Sequence, residues 1–189
     1  GDGDLRIVER RSDVHHAVKH ISPIVRQYEH AAVGSPVGVS IGYSSLWYTT
    51  ELSILVSRRC AVGVYALWAP VDILSAFALC KASLVFVDDG VFNKIVGAAL
   101  EDATRWPSTL QHIVVLRWEH DDADSSSRSL QLPAPWCDSC DVAHVTVDLF
   151  GKAPCPVQEA AYVAPADQPV SEKAISDHDF GAVVIFTSG

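Results

Sequence analysis

Cys60-Ala-Val-Gly-Val-Tyr-Ala-Leu-Trp-Ala-Pro70-Val-Asp72-Ile-Leu-Ser-Ala-Phe-Ala-Leu-Cys80 is the stretch on which the fold turns. Its only charge is Asp72, and it is close to the length a helix needs to cross a bilayer. An aspartate near the middle of such a helix costs about 2.5–3.5 kcal/mol even on insertion scales. Pro70 also interrupts the run. In water the same residues divide into Ala61–Tyr65, a buried strand, and Val71–Cys80, a helix. Pro70 then falls near the first helical position, where its missing N–H does no harm, and Asp72 faces the positive end of the helix dipole. The segment reads as a soluble strand–helix unit.

Its neighbours repeat the unit. Upstream, Ser12-Asp13 predicts a helix over Val14–Tyr28, kinked or restarted at Pro23. Gly34, Pro36 and Gly38 mark a loop into the apolar run Val37–Ile41. Trp47, Leu52, Leu55 and Val56 give Leu46–Arg59 a helical spacing, with Arg58 and Arg59 in its last turn. Downstream, Ser83–Val87 reads as a strand ended by the turn Asp88-Asp89-Gly90. Val91–Leu100 follows as a helix and His112–Leu116 as another buried strand. Continuous apolar strands separated by short helices are the mark of a sheet buried on both faces. The predicted class is α/β, a mostly parallel sheet with helices on both faces.

Past Leu116 the texture changes. Glu119–Ser129 is acidic and serine-rich, and Pro133, Pro135, Pro154, Pro156, Pro165 and Pro169 punctuate the rest of the chain. Long surface connections are expected there, around one strand at Ala143–Leu149. Gly181–Phe186 gives a last apolar strand before Thr187-Ser188-Gly189.

Length and charge narrow the function classes. A chain of 189 residues allows one domain, and 49% hydrophobic residues exclude a disordered tail. A formal charge of −9 repels phosphate backbones, so nucleic acid is not an expected partner. Five cysteines, an odd number in a chain too large to need staples, point to a reducing compartment; the expectation is cytoplasmic, with the peroxisome as the alternative address. The sequence begins with Gly and contains no Met, so its first residue is not a translation start and a lost targeting signal stays open.

Four constellations could carry chemistry. Gly38-Val39-Ser40-Ile41-Gly42 matches the G-x-S-x-G pattern of a hydrolase elbow. That device needs a strand running into the first glycine, and only Val37 separates Gly38 from Pro36, so a serine inside a small-residue strand is the preferred reading. Cys137 and Cys140, with His144 and Cys155, could supply zinc ligands or a redox pair. The flanking prolines favour free thiols in a loop instead. His16 and His20, four apart, share a helix face and could bind a metal edge-on, but two ligands without a carboxylate at matching spacing favour an exposed helix face. Last, the strand Ala182–Phe186 runs into Thr187-Ser188-Gly189, the kind of small polar turn that presents N–H groups and hydroxyls to phosphate oxygens.

Phe186-Thr187-Ser188-Gly189 resembles the opening of the ATP-phosphate loop of the adenylate-forming (AMP-binding) enzyme superfamily, and the Asp179–Phe186 approach is similar too. Val37–Ile41 resembles that family's early strand, Trp47 and the helix around it the next element, and Cys60–Pro70 the following segment. Ser83–Asp88 and Lys94-Ile95 continue the order. Residues 37–189 thus resemble part of an adenylation domain, and residues 1–36 match poorly. Cys60 stands where the family has Gly, and Tyr65 where it has Pro.

The resemblance implies an N-terminal fragment of an acyl-CoA synthetase-like ligase, ending inside the phosphate loop. Such an enzyme activates a carboxylic acid, fatty acids among them, with ATP and Mg2+ to an acyl-adenylate, then passes the acyl group to a thiol such as CoA. It places Thr187, Ser188 and Gly189 against the β- and γ-phosphates and assigns no catalytic or metal-binding residue within this chain. The fragment alone is expected to be inactive, with the remainder of the enzyme as its missing partner and no membrane span. The alternative is a non-catalytic α/β binding or interaction module.

Overall fold

The computed structural model describes residues 11–28, 34–42, 44–118, 132, 136, 139–147 and 183–185. Helix α1 (Arg11–Tyr28) precedes strand β1 (Pro36–Ser40), helix α2 (Ser45–Val56) and strand β2 (Cys60–Gly63). Helix α3 (Pro70–Cys80), strand β3 (Leu84–Val87) and helix α4 (Asp89–Glu101) follow. Strands β4 (His112–Trp118), β5 (Asp141–Val147) and β6 (Val183–Ile185) complete one sheet in the order β5-β4-β3-β1-β2-β6. Every pairing is parallel. No described helix is long and apolar enough to cross a membrane. Cys60–Cys80 is a strand and a helix, as its charge and proline require.

The continuous apolar runs have a direct cause. Alternate residues of each strand point to opposite faces, and both faces are covered. Val37, Val39, Ile41, Leu84, Phe86, Val114 and Leu116 pack with Ala17, Ile21 and Ile24 of α1 and with Leu46 and Ile54 of α2. Val62, Val64, Val85, Val87, Ile113 and Val115 pack on the other side with Ile73, Leu74 and Phe77 of α3 and Val91, Phe92 and Ile95 of α4. The two faces follow from handedness. The step from β1 to β2 and the step from β2 back across β1 to β3 run in opposite directions, so right-handed crossovers place α2 and α3 on opposite sides.

Helix boundaries differ from the sequence reading at α1, α2 and α4, whereas α3 ends at Cys80 as expected. α1 runs on through Pro23 as one helix, starting at Arg11. α2 stops at Val56, and Arg58 and Arg59 lie beyond it, because Arg58 takes a left-handed conformation (φ 58) that ends the helical run. α3 begins with Pro70 at its first turn and ends the same way at Lys81 (φ 55), with the Ala82 N–H closing on the Phe77 carbonyl at 3.1 Å. Asp88-Asp89-Gly90, read as a turn, is a helix start: Asp88 caps α4 and Asp89 is its first residue. The last two expected strands are found as β5, which begins two residues earlier at Asp141, and β6 (Val183–Ile185), while residues 148, 149, 181, 182 and 186 of those expected runs lie outside the described residues.

His16 and His20 do not lie on an exposed face. His20 is buried, on the same apolar stripe as Ala17, Ile21 and Ile24. The His16 ring is half-buried and stands 5.5 Å from that of His20. The apolar stripe of α1 faces the core, and the spacing that joins the two histidines also joins them to that stripe.

Candidate functional site

In an open parallel sheet, ligands bind at the carboxyl ends of the strands, where the strand order reverses. Here that point lies between β1 and β3, the centre of the sheet. β1 ends at Ser40 and leads through Ile41 and Gly42 to α2, while β3 ends at Val87 and leads at once into α4. Asp88 closes the gap. Its Oδ1 accepts from the Val91 N–H at 2.8 Å, capping α4, and its Oδ2 accepts from the Gly42 N–H at 2.6 Å. The carboxylate sits where an external anion would otherwise meet the α4 N-terminus.

Two cations among the described residues of this edge, Arg117 and Lys94, also find partners within the chain. The Arg117 guanidinium, near the end of β4, donates through Nε and Nη2 to both carboxylate oxygens of Asp89. That hydrogen bond holds the guanidinium even more firmly charged than usual. Lys94 Nζ reaches the Ala66 carbonyl at 3.5 Å, tying α4 to the β2–α3 connection. On β5, His144 meets the Phe92 ring edge-on, with centroids 5.9 Å apart. Burial, then the charge of Arg117, holds its imidazole below the ordinary histidine range, with Asp89 pulling weakly the other way.

The described residues of this edge do not fit a nucleotide's phosphate tail. Asp88 fills the α4 N-terminus and Asp89 neutralises Arg117. No group of three His, Cys, Asp or Glu side chains among the described residues could hold a metal ion. Thr187, Ser188 and Gly189, the expected phosphate-binding residues, lie outside the described residues. The strand before them is present: β6 pairs in parallel with β2, with Ile185 opposite Gly63, so its carboxyl end lies on the same edge as those of β1, β2 and β3.

Ser40 does not sit on a nucleophile elbow. A strand does run into it, since β1 spans Pro36–Ser40, but the elbow fails for another reason. The serine is the last strand residue, 0% exposed, and the next helix starts only at Ser45. Its Oγ is buried and makes no hydrogen bond. Removing an unsatisfied buried hydroxyl costs little. Ser40→Ala is therefore expected to leave stability unchanged or raise it by up to about 1 kcal/mol. A urea titration reads this, and a fluorophosphonate probe is expected to leave Ser40 unlabelled.

Of the zinc set, Cys137 and Cys155 lie outside the described residues. Cys140 is buried just before β5, and burial, with Asp141 beside it, pushes its thiol up to about 12. A thiol held in the neutral form is a weak nucleophile at neutral pH. Asp88, Gly42, Asp89 and Arg117 escape sequence reasoning as a group. Asp88 carries a signal, an aspartate three residues before the apolar-periodic Val91, but Asp-Asp-Gly reads equally well as a turn. The Asp89–Arg117 pair spans the β3–α4 junction and β4 and has no local signal.

No family model and no curated protein matches the chain. Among solved structures, the anthranilate CoA ligase AuaEII in complex with anthranoyl-AMP is similar over 54% of this chain and 19% of that one, with 22% identity and a TM-score of 0.45. The inhibitor-bound N-terminal domain of FACL13 from Mycobacterium tuberculosis is similar over 65% of this chain and 30% of that one, with 14% identity and a TM-score of 0.49. A second crystal form of that domain gives 66%, 30%, 14% and 0.49 in the same order. The chain thus spans less than a third of the length of these structures, and likeness of this extent assigns no family.

Proposed function

We propose that the chain is the N-terminal part of an AMP-forming acid–thiol ligase of the acyl-CoA synthetase kind, with Thr187, Ser188 and Gly189 opening its phosphate loop. One observation carries the reading. β6 lies parallel to β2, so the strand before the aromatic-Thr-Ser-Gly run ends on the same edge of the sheet as β1 and β3, which supports the reading. The order of elements from Val37 onward, strand, helix, strand, helix, strand, agrees with the order on which the resemblance rests. ATP and Mg2+ would supply the leaving pyrophosphate and the charge that stabilises it, and CoA or another thiol would accept the acyl group. The contribution of this chain is backbone N–H and hydroxyl donors at the loop's entrance, of the type that stabilise charge as it forms.

The test begins with the codons after Gly189. A continuation rich in Thr/Ser and Gly with a Pro-Lys-Gly is expected, and the extended protein is expected to catalyse carboxylate-dependent ATP–pyrophosphate exchange. Ser188→Ala in that protein should lower the exchange rate by about a hundredfold, the usual cost of losing one such donor. The 189-residue chain by itself is expected to show none. An unrelated continuation, or an extended protein that ignores ATP, overturns the reading.

A second reading, a non-catalytic binding or interaction module, draws on the same edge. Tyr65 (53% exposed) and Leu67 (73% exposed) place apolar surface in the β2–α3 connection, and the switch point is filled by the chain's own Asp88. Loss of exchange in the extended protein would leave this reading standing.

A further inference from the structure

Two free cysteines lie toward the amino edge of the sheet, opposite the Asp88 crevice, with Cys60 near enough to raise the Cys80 thiol. Cys60 opens β2 and Cys80 closes α3. Cys60 has the strand parity of Val62 and Val64, which face α3 and α4, so its side chain stands on that face. α3 crosses the same face from the carboxyl edge to the amino edge. Phe77 fixes where it crosses, because the Phe77 ring lies over Gly38 so closely that a Cβ there would meet it at 2.6 Å. Cys80 lies three residues beyond Phe77, on nearly the same side of the helix, and packs against the same core. The corresponding step back along β1 from Gly38 reaches Pro36, and Pro36 is the register partner of Cys60.

We infer that Cys60 and Cys80 form a reversible dithiol–disulfide pair, a redox modification site that pins the end of α3 to the start of β2. Neither cysteine has a part in the ligase reading, and the pair stands or falls without it. Cys60 is 7% exposed and Cys80 is half-buried, so Cys80 meets a small oxidant first. With hydrogen peroxide as oxidant, the Cys80 thiolate attacks one peroxide oxygen and the O–O bond breaks. Cys80 becomes a sulfenic acid, and the departing hydroxide takes up the thiol proton as water. Cys60 sulfur then attacks Cys80 sulfur, the S–O bond breaks, and a second water leaves with the Cys60 proton. Two thiols are oxidised and one peroxide is reduced. Burial raises both thiols above their ordinary range, and the neighbouring Cys60 raises Cys80 further, so the rate rises with pH.

The 189-residue chain is treated with hydrogen peroxide, blocked with N-ethylmaleimide, digested without reductant and mapped by mass spectrometry. A peptide pair joined through Cys60 and Cys80, separated by dithiothreitol and formed faster as pH rises, is expected. In Cys60→Ser the joined pair is lost and Cys80 goes on to the sulfinic acid, having no partner to resolve it. The inference is overturned if Cys60 and Cys80 are recovered on separate peptides, or if either is joined to Cys137, Cys140 or Cys155 instead. The mapping of the unsubstituted chain decides this however well Cys60→Ser folds.

Discussion

Gly38→Ala is expected to destabilise the chain by about 1–3 kcal/mol, the usual range for overpacking a filled core. The sign is the informative part. In a strand, alanine is preferred to glycine by about 0.5–1 kcal/mol on backbone entropy alone, which would make the change stabilising. Space reverses this. An added Cβ would lie 2.6 and 2.8 Å from Cε1 and Cδ1 of Phe77 and 2.8 Å from Cγ1 of Val85. Phe77 and Val85 are both 0% exposed, so neither can swing aside. Either the ring leaves its rotamer or α3 lifts from the sheet. Phe77→Leu in the Gly38→Ala background should therefore recover part of the loss, and the double variant should be less destabilised than the sum of the singles. Urea midpoints of the four proteins measure this. Strict additivity, or a stabilising Gly38→Ala, would show that Phe77 does not rest on Gly38.

Asp88→Ala is expected to cost about 2–4 kcal/mol, from two separable causes. Its Oδ1 caps α4 through the Val91 N–H, and loss of such a cap costs typically about 1 kcal/mol. Its Oδ2 holds the Gly42 N–H at 2.6 Å, a hydrogen bond to a carboxylate, in the range of about 1.5–3 kcal/mol. Asp88→Asn separates them. Asparagine caps nearly as well as aspartate, but it turns an NH2 group, a donor, toward a backbone donor. Asn should restore the cap and leave the Gly42 tether broken, giving a loss between that of Ala and the parent. Amide hydrogen exchange adds a local readout: Gly42 should exchange faster in both variants, and Val91 faster only in Asp88→Ala. Protection at Gly42 in Asp88→Asn equal to that in the parent would remove the tether from the account.

Gly38 and Asp88 are both visible in the sequence, and neither declares its partner there. Gly38 is a glycine between apolar residues, and its G-x-S-x-G context draws attention to Ser40 instead. The crossing of α3 over β1 and the neighbouring strand β3 explain the glycine, because its partners are Phe77 and Val85, far along the chain. Asp88 reads as a strand-ending residue in a turn. Its double role depends on Gly42 lying across the sheet crossover. The His16–His20 pair misleads in the same way. Helical spacing states which residues share a face, and the packing of α1 decides whether that face meets solvent. Arg58 ends α2 short of the expected Arg59, and Lys81 closes α3 at Cys80 as expected, both in left-handed conformations usually reserved for glycine, which residue type alone does not announce.

Ser83–Val87, His112–Leu116 and the division of Cys60–Cys80 at Pro70 and Asp72 are enough to define parallel strands under helices. Hydrophobic period, a proline and one charge act locally, and no contact is needed to read them. The order β5-β4-β3-β1-β2-β6, the choice of face for each helix, and the closing of the central crevice by Asp88 belong to the folded chain. Each depends on which distant residue stands opposite, a relation that a single sequence does not encode position by position.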